Sequence, residues 1–194
     1  TKIDALEIDV DHTVLAGALA AFAGWLTDVP TLDLHVNLCA RHLGVARAVE
    51  QLDEIVTASS VPPQRVVFEL TETRSYTDSP RAVAFVRDLR LRGYRVVLDD
   101  LGTGHSSLER LVELPVDGFK VDKALSHRMG SPDGDTLVGA LTGFASVTER
   151  SVVVEGIETE EQARSARHNG CTLVQGFLYS RAVPAADVRA LGLV

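Results

Sequence analysis

Six short apolar runs in this chain each end in residues able to bind a cation or move a proton. They carry Asn37 (His-Val-Asn-Leu), Glu69 and Glu72 (Phe-Glu-Leu-Thr-Glu), and Asp99 and Asp100 (Leu-Asp-Asp-Leu-Gly-Thr-Gly). Lys120 and Asp122 (Phe-Lys-Val-Asp), Glu155 and Glu158 (Val-Val-Glu-Gly-Ile-Glu) and Gln175 (Val-Gln-Gly-Phe) follow. Gathered in one place, so many carboxylates would repel one another and resist desolvation. Divalent cations resolve that conflict, and oxygen donors from Asp, Glu and Asn suit hard ions such as Mg²⁺, Mn²⁺ or Ca²⁺. No His cluster or Cys pair stands at these run ends, which argues against structural zinc there. Asp99-Asp100 is the sharpest local feature. Successive strand residues point to opposite faces, so both acids serve one site only where the strand breaks. We assign that break to the Gly-Thr-Gly that follows. Two ions about 3.5–4 Å apart can activate a water and steady the leaving oxygen of a phosphodiester. Lys120 would add fixed positive charge near the attacked phosphate or the water.

Taken singly, each feature has a plainer reading. Asp-Asp before Gly is more often a turn or N-cap, Lys120 a surface lysine, and His35 and His105 structural or solvent-facing. Their coincidence changes the weighing, because an acid, amide or lysine closes every run. The runs read as strands over residues 32–38, 65–70, 94–98, 118–121, 151–154 and 172–174. Helical periodicity fills 46–58, 79–92, 106–113, 136–148, 160–168 and 185–191, with Gly93 and Gly170 as C′ stops. Regular strand–helix alternation predicts parallel strands with helical crossovers. There is no GxGxxG and no GxxxxGK[ST], and the chemistry is spread over many strand ends rather than one switch point. That favours a TIM-type (β/α) barrel over a doubly wound sheet. Six strands are two short of the eight such a barrel needs. The expectation is therefore one domain over 1–194, comprising the last six strand–helix units, with the first two strands lying ahead of Thr1.

Bulk properties set outer limits. A formal charge of −8 and a pI near 5.2 argue against DNA, RNA or an anionic membrane surface as partner. An acidic protein acting on a phosphate ester usually needs metal cations to bring the two together. Cys39 and Cys171 form no CxxC pair and read as buried, reduced thiols. The apolar stretch 14–26 spans 13 residues, too short to cross a bilayer, and reads as a core helix capped by Asp11 or Thr13. With no signal peptide in view, the expected location is cytoplasmic.

At these residues the chain resembles the EAL-domain family of cyclic di-GMP phosphodiesterases. The motifs that carry the resemblance are LHVNL (34–38), ELTE (69–72), DDLGTGHSSL (99–108), LPVDGFKVD (114–122), EGIET (155–159) and GCTLVQGFLYS (170–180). They span residues 30–182 in order. The resemblance implies a barrel that binds two Mg²⁺ or Mn²⁺ ions and hydrolyses cyclic di-GMP to linear pGpG. It makes Asn37, Glu69 and Asp99 direct ligands, and Asp100, Asp122 and Glu155 ligands of a second ion or of its waters. Lys120 would orient and polarise the attacking water, and Glu155 would be its base. Glu72, Glu158 and Gln175 would bind substrate or support loops, Glu72 bracing the loop 100–107 through which the family couples activity to a homodimer. A fused sensory or diguanylate cyclase domain is implied as well.

The chain also departs from the pattern. Leu101 and His105 replace aromatic residues, and Ala182 replaces a proline. The Glu-Ala-Leu strand is not found, since Ala5-Leu6-Glu7 has the wrong order. On this reading the isolated chain is an impaired enzyme. The alternative is a degenerate EAL domain acting as a cyclic di-GMP receptor or an interaction scaffold.

Overall fold

A computed structural model describes residues 2–71, 80–102 and 108–192, the side chains of 2–5 and 108–110 excepted. Six parallel strands pair in sequence order: β1 Leu34–Leu38, β2 Val66–Leu70, β3 Arg95–Leu101, β4 Gly118–Val121, β5 Ser151–Val154 and β6 Leu173–Val174. Helix α1 Lys2–Asp28 precedes β1. The crossovers carry α2 Ala48–Ala58, α3 Pro80–Leu91, α4 Leu108–Glu113, then α5 Lys123–Ser126 with α6 Pro132–Val147, and α7 Glu160–His168. The sheet curls into half of a TIM-type barrel, as the strand–helix alternation predicts. Because all strands run the same way, their C-terminal ends share one rim.

Period-two alternation divides each strand between two faces. Phe68, Leu70, Val96, Leu98, Phe119 and Val154 are fully or almost fully buried, as are the helix residues Leu15, Leu19, Leu52, Val56, Val86 and Leu89. The opposite face carries Val67, Glu69, Val97, Asp99 and Lys120, buried on the central strands. On the edge strands it is open, with His35, Asn37, Leu173 and Gln175 exposed.

The strand expectations hold to within three residues at each end, and several differences have clear causes. Helix α1 starts at Lys2, and neither Asp11 nor Thr13 caps it. Ile8, Leu15, Leu19 and Phe22 lie at helical spacing on one buried stripe, so the apolar face begins well before residue 14. Thr13 Oγ1 donates back to the Asp9 carbonyl at 2.8 Å, inside the helix. The segment Leu6–Asp28 is thus long and apolar enough, by length and composition, to cross a membrane, which the shorter reading excluded. Its buried stripe packs against α2 and β1.

Helix α6 begins a turn earlier than expected. Ser131 Oγ accepts from the Gly134 N–H, and Pro132 follows it in the first turn, where its missing N–H costs nothing. The C-terminal segment Ala185–Leu191 is a 3₁₀ helix with no buried residue. Gly93 and Gly170, with φ of +94° and +83°, end α3 and α7 as predicted. Both cysteines are free. Cys171 is buried as expected, whereas Cys39 is only partly buried; desolvation pushes each thiol up to about 11, and Asp11 adds to the effect at Cys39.

Candidate functional site

The two adjacent acids reach one site by a device other than the expected break. Strand β3 runs on through both to Leu101, and its register with β4 jumps between Leu98↔Phe119 and Leu101↔Val121. Asp99 and Asp100 together therefore oppose Lys120, which is a β-bulge. Asp100 takes the left-handed conformation (φ +58°) that Asp tolerates better than most residues, and its N–H donates to Asp99 Oδ1 at 2.9 Å. The bulge turns both carboxylates toward the rim. Oxygens of Asp99, Asp100 and Glu155 lie within 4.8 Å of one another.

Lys120 sits at the centre. Its ammonium is 2.9 Å from Glu69 Oε2, 3.2 Å from Asp99 Oδ1 and 2.5 Å from Glu155 Oε1, and its side chain is 5 % exposed. Burial opposes its charge, but Glu155, Glu69 and Asp99 outweigh burial and hold the ammonium above its ordinary value. Glu69 is buried too, yet His35 and Lys120 bring its carboxyl below the usual range. At Glu155 burial wins over the Lys120 contact and pushes the carboxyl up. One ammonium among three carboxylates, with Asp100 at the same rim, leaves negative charge that further cations would neutralise. Closely spaced oxygen donors of this kind fit hard divalent ions, which is the donor set expected from the sequence. A raised carboxyl is a standing cost to the folded state at neutral pH. Glu155→Gln should therefore raise the melting temperature in chelator by about 2–4 °C per kcal/mol relieved. A lower melting temperature would show that the Lys120 pair outweighs the burial.

Other expected residues are placed as follows. Asn37 pairs in register with Glu69. Asp122 caps α5, its Oδ1 accepting from the Ala124 N–H at 2.8 Å, so one oxygen remains for any ligand role. Gln175 is held at the end of β6 by its N–H to the Val154 carbonyl and by its own carbonyl, which accepts from Ile157. It borders an open groove of about 540 Å³ with Phe177, Tyr179 and Arg181, whose guanidinium lies over the Phe177 ring at 4.2 Å. Glu158 is exposed at the turn into α7, where Thr159 and Gln162 form a capping box, and is not among the clustered carboxylates. Glu72 and His105 lie outside the described residues, as does most of the loop 100–107.

His35 is solvent-facing, as the sequence reading allowed, and it also braces a clustered carboxylate. Its Nδ1 is 2.7 Å from Glu69 Oε1. The signal was available: His35 stands two residues before Asn37 on the same strand, and so on the same face.

Residues 3–182 match the family model described as the EAL domain. The cyclic di-GMP phosphodiesterase RocR of Pseudomonas aeruginosa is 31 % identical over 154 residues, covering 79 % of this chain and 39 % of RocR. This chain thus spans about two fifths of that relative. The fold overlays the PaMucR phosphodiesterase in its cyclic di-GMP complex with a TM-score of 0.87 and 28 % identity, over 96 % of this chain and 76 % of that one. A manganese and cyclic di-GMP complex of Klebsiella pneumoniae BlrP1 gives 0.81 and 31 %, over 90 % of this chain and 44 % of that one. With motif order, site geometry, family match and fold all in agreement, the chain belongs to the EAL-domain family.

Proposed function

We propose that this chain carries the active site of a divalent-metal-dependent phosphodiesterase that hydrolyses cyclic di-GMP to linear pGpG. The observation that carries the reading is the buried ammonium of Lys120, held by Glu69, Asp99 and Glu155 beside the bulged Asp100. A scaffold has no need of so costly a cluster, since an isolated buried charge is tolerated only when paired. Asn37, Glu69 and Asp99 would hold one Mg²⁺ or Mn²⁺ ion, and Asp100, Asp122 and Glu155 a second. Bound there, such ions would supply positive charge to the phosphate and ease deprotonation of a water.

The chain's own residues do the rest. Glu155, with its raised carboxyl, is suited to take the proton of the attacking water. Lys120 keeps its charge and orients that water toward phosphorus. His35 fixes the Glu69 carboxylate. Gln175 and the groove beside Phe177 and Arg181 offer polar and stacking contacts to a nucleotide. One water adds across one P–O3′ bond, that bond breaks, and the ring opens to a linear dinucleotide. A homodimer formed through the loop 100–107, an adjoining sensory or diguanylate cyclase domain and a cytoplasmic location belong to the same proposal.

The test is chromatography of cyclic di-GMP incubated with the chain and Mg²⁺ or Mn²⁺. Metal-dependent pGpG is expected from the chain at a reduced rate, as an impaired enzyme gives, and at least 100-fold less again from Asp99→Asn. Micromolar binding with no turnover in either metal would instead establish the receptor reading, and no binding the scaffold.

A further inference from the structure

A second cluster of ligand-type side chains lies away from the strand-end carboxylates, where α1 crosses the turn after β1. Ligand atoms of Asp11, Cys39 and His42 lie within 4.8 Å of one another. Asp11 Oδ2 accepts from the Cys39 backbone N–H at 2.8 Å and stands 3.1 Å from His42 Nε2. The three come from two elements that meet only in the fold, Asp11 from mid-α1 and the other two from the residue before the 3₁₀ helix Ala40–Gly44 and from within it.

The surroundings point to a ligand. The His42 side chain is fully buried, and its Nδ1 has no hydrogen-bond partner among the described residues. The His12 ring lies 5.5 Å from the His42 ring, centroid to centroid, and its Nε2 is also buried without a partner among the described residues. Unpaired imidazole nitrogens on two neighbouring rings are costly, since a buried polar atom without a partner forfeits about 1–3 kcal/mol. The packing of α1 against the turn after β1 thus brings carboxylate, thiol and imidazole together.

We propose that Asp11, Cys39 and His42 form a site for a borderline-soft divalent cation of the zinc class, with the fourth position left to solvent. Sulfur and imidazole donors beside one carboxylate select zinc-like ions, whereas the all-oxygen strand-end cluster selects hard ions. Bonds of about 2.0–2.3 Å need only a small contraction of the donors from their present spacing. On binding, the Cys39 thiol passes its proton to solvent and bonds as thiolate. The ion would tie α1 to the end of β1, the strand that carries Asn37. The inference is independent of the proposed reaction.

The experiment is a Co²⁺ titration of the chain under a large excess of Mg²⁺, read by absorption and followed by displacement with Zn²⁺. One equivalent of Co²⁺ should bind and produce a sulfur-to-cobalt charge-transfer band. Asp99→Asn should keep the band. Cys39→Ser should lose it and weaken binding about 100-fold or more, and His42→Gln should weaken binding at least 10-fold with the fold intact by circular dichroism. Zn²⁺ should raise the melting temperature of the parent chain and not that of Cys39→Ser. No band in the folded parent, or a band that persists in Cys39→Ser and so arises from Cys171, would overturn the proposal. Should Cys39→Ser fail to fold, loss of the band in His42→Gln supports the site and an unchanged band refutes it.

Discussion

Lys120→Met is expected to cut turnover by about 10²–10³-fold and, in chelator, to destabilise the protein more than any other single change at the rim. The side chain is almost fully buried and contacts Glu69, Asp99 and Glu155. Methionine fills most of the same volume, so packing changes little. What disappears is the cation that the described residues place among three carboxylates. Removing one partner of a buried ion pair costs about 3–5 kcal/mol, because the other charge stays buried. Loss of a fixed charge near the reacting phosphate costs a further factor of about 10²–10³ in rate. The stability loss should shrink when Mn²⁺ is added, since the carboxylates then share a cation again.

The pH dependence should change with it. In the parent chain Glu69 titrates below its ordinary value near 4.5, so its contribution is complete above that pH and fades as pH falls through the lowered value. Lys120 titrates above its ordinary 10.5, so its contribution is complete below that pH and fades as pH rises past the raised value. Without the ammonium, crowding of carboxylates favours protonation, and the variant should gain stability relative to the parent as pH falls toward 4.5. Thermal melts in chelator at several pH values read both effects. Equal melting temperatures for parent and variant at neutral pH would show that Lys120 does not hold the cluster together.

The second large effect is expected at a residue with no side chain. A Cβ placed on Gly176 would lie 2.1 Å from the Ile157 carbonyl oxygen and 2.3 Å from its nitrogen. Both are backbone atoms, and Ile157 is fully buried, so no rotamer change relieves the clash. The Ile157 N–H donates to the Gln175 carbonyl, and the Ile157 carbonyl accepts from Leu178. Gly176→Ala must push these strands of backbone apart, combining overpacking of about 1–3 kcal/mol with weakening of two hydrogen bonds at about 0.5–1.5 kcal/mol each. The expected fall in melting temperature is on the order of 10 °C. Activity should fall further than stability alone explains, because Ile157 lies two residues after Glu155 and Gln175 moves with its carbonyl. A melting temperature within about 1–2 °C of the parent's would mean the two segments separate freely, and that Gly176 does not set the position of Gln175.

Strand–helix alternation, the parallel sheet and the convergence of strand ends were legible in the residues because period-two and helical patterns are local properties. So were the stops at Gly93 and Gly170, and the strand-end placing of Glu69, Asp99, Lys120 and Glu155, which the fold gathers at one rim. Tertiary structure decided what depends on distant partners. The bulge that lets Asp99 and Asp100 share a site is a register shift between β3 and β4, and no reading of either strand alone contains it. The partner of His35 was set only when β2 placed Glu69 beside it. The length of α1 depended on which of its faces the sheet would bury. The Asp11–Cys39–His42 cluster joins a helix to a turn 28 residues onward, a proximity that only the packed chain creates. Chemistry at this rim was written into residue types, but its geometry and charge balance came from pairing across the sheet, where long-range contacts rather than local propensity choose the conformation.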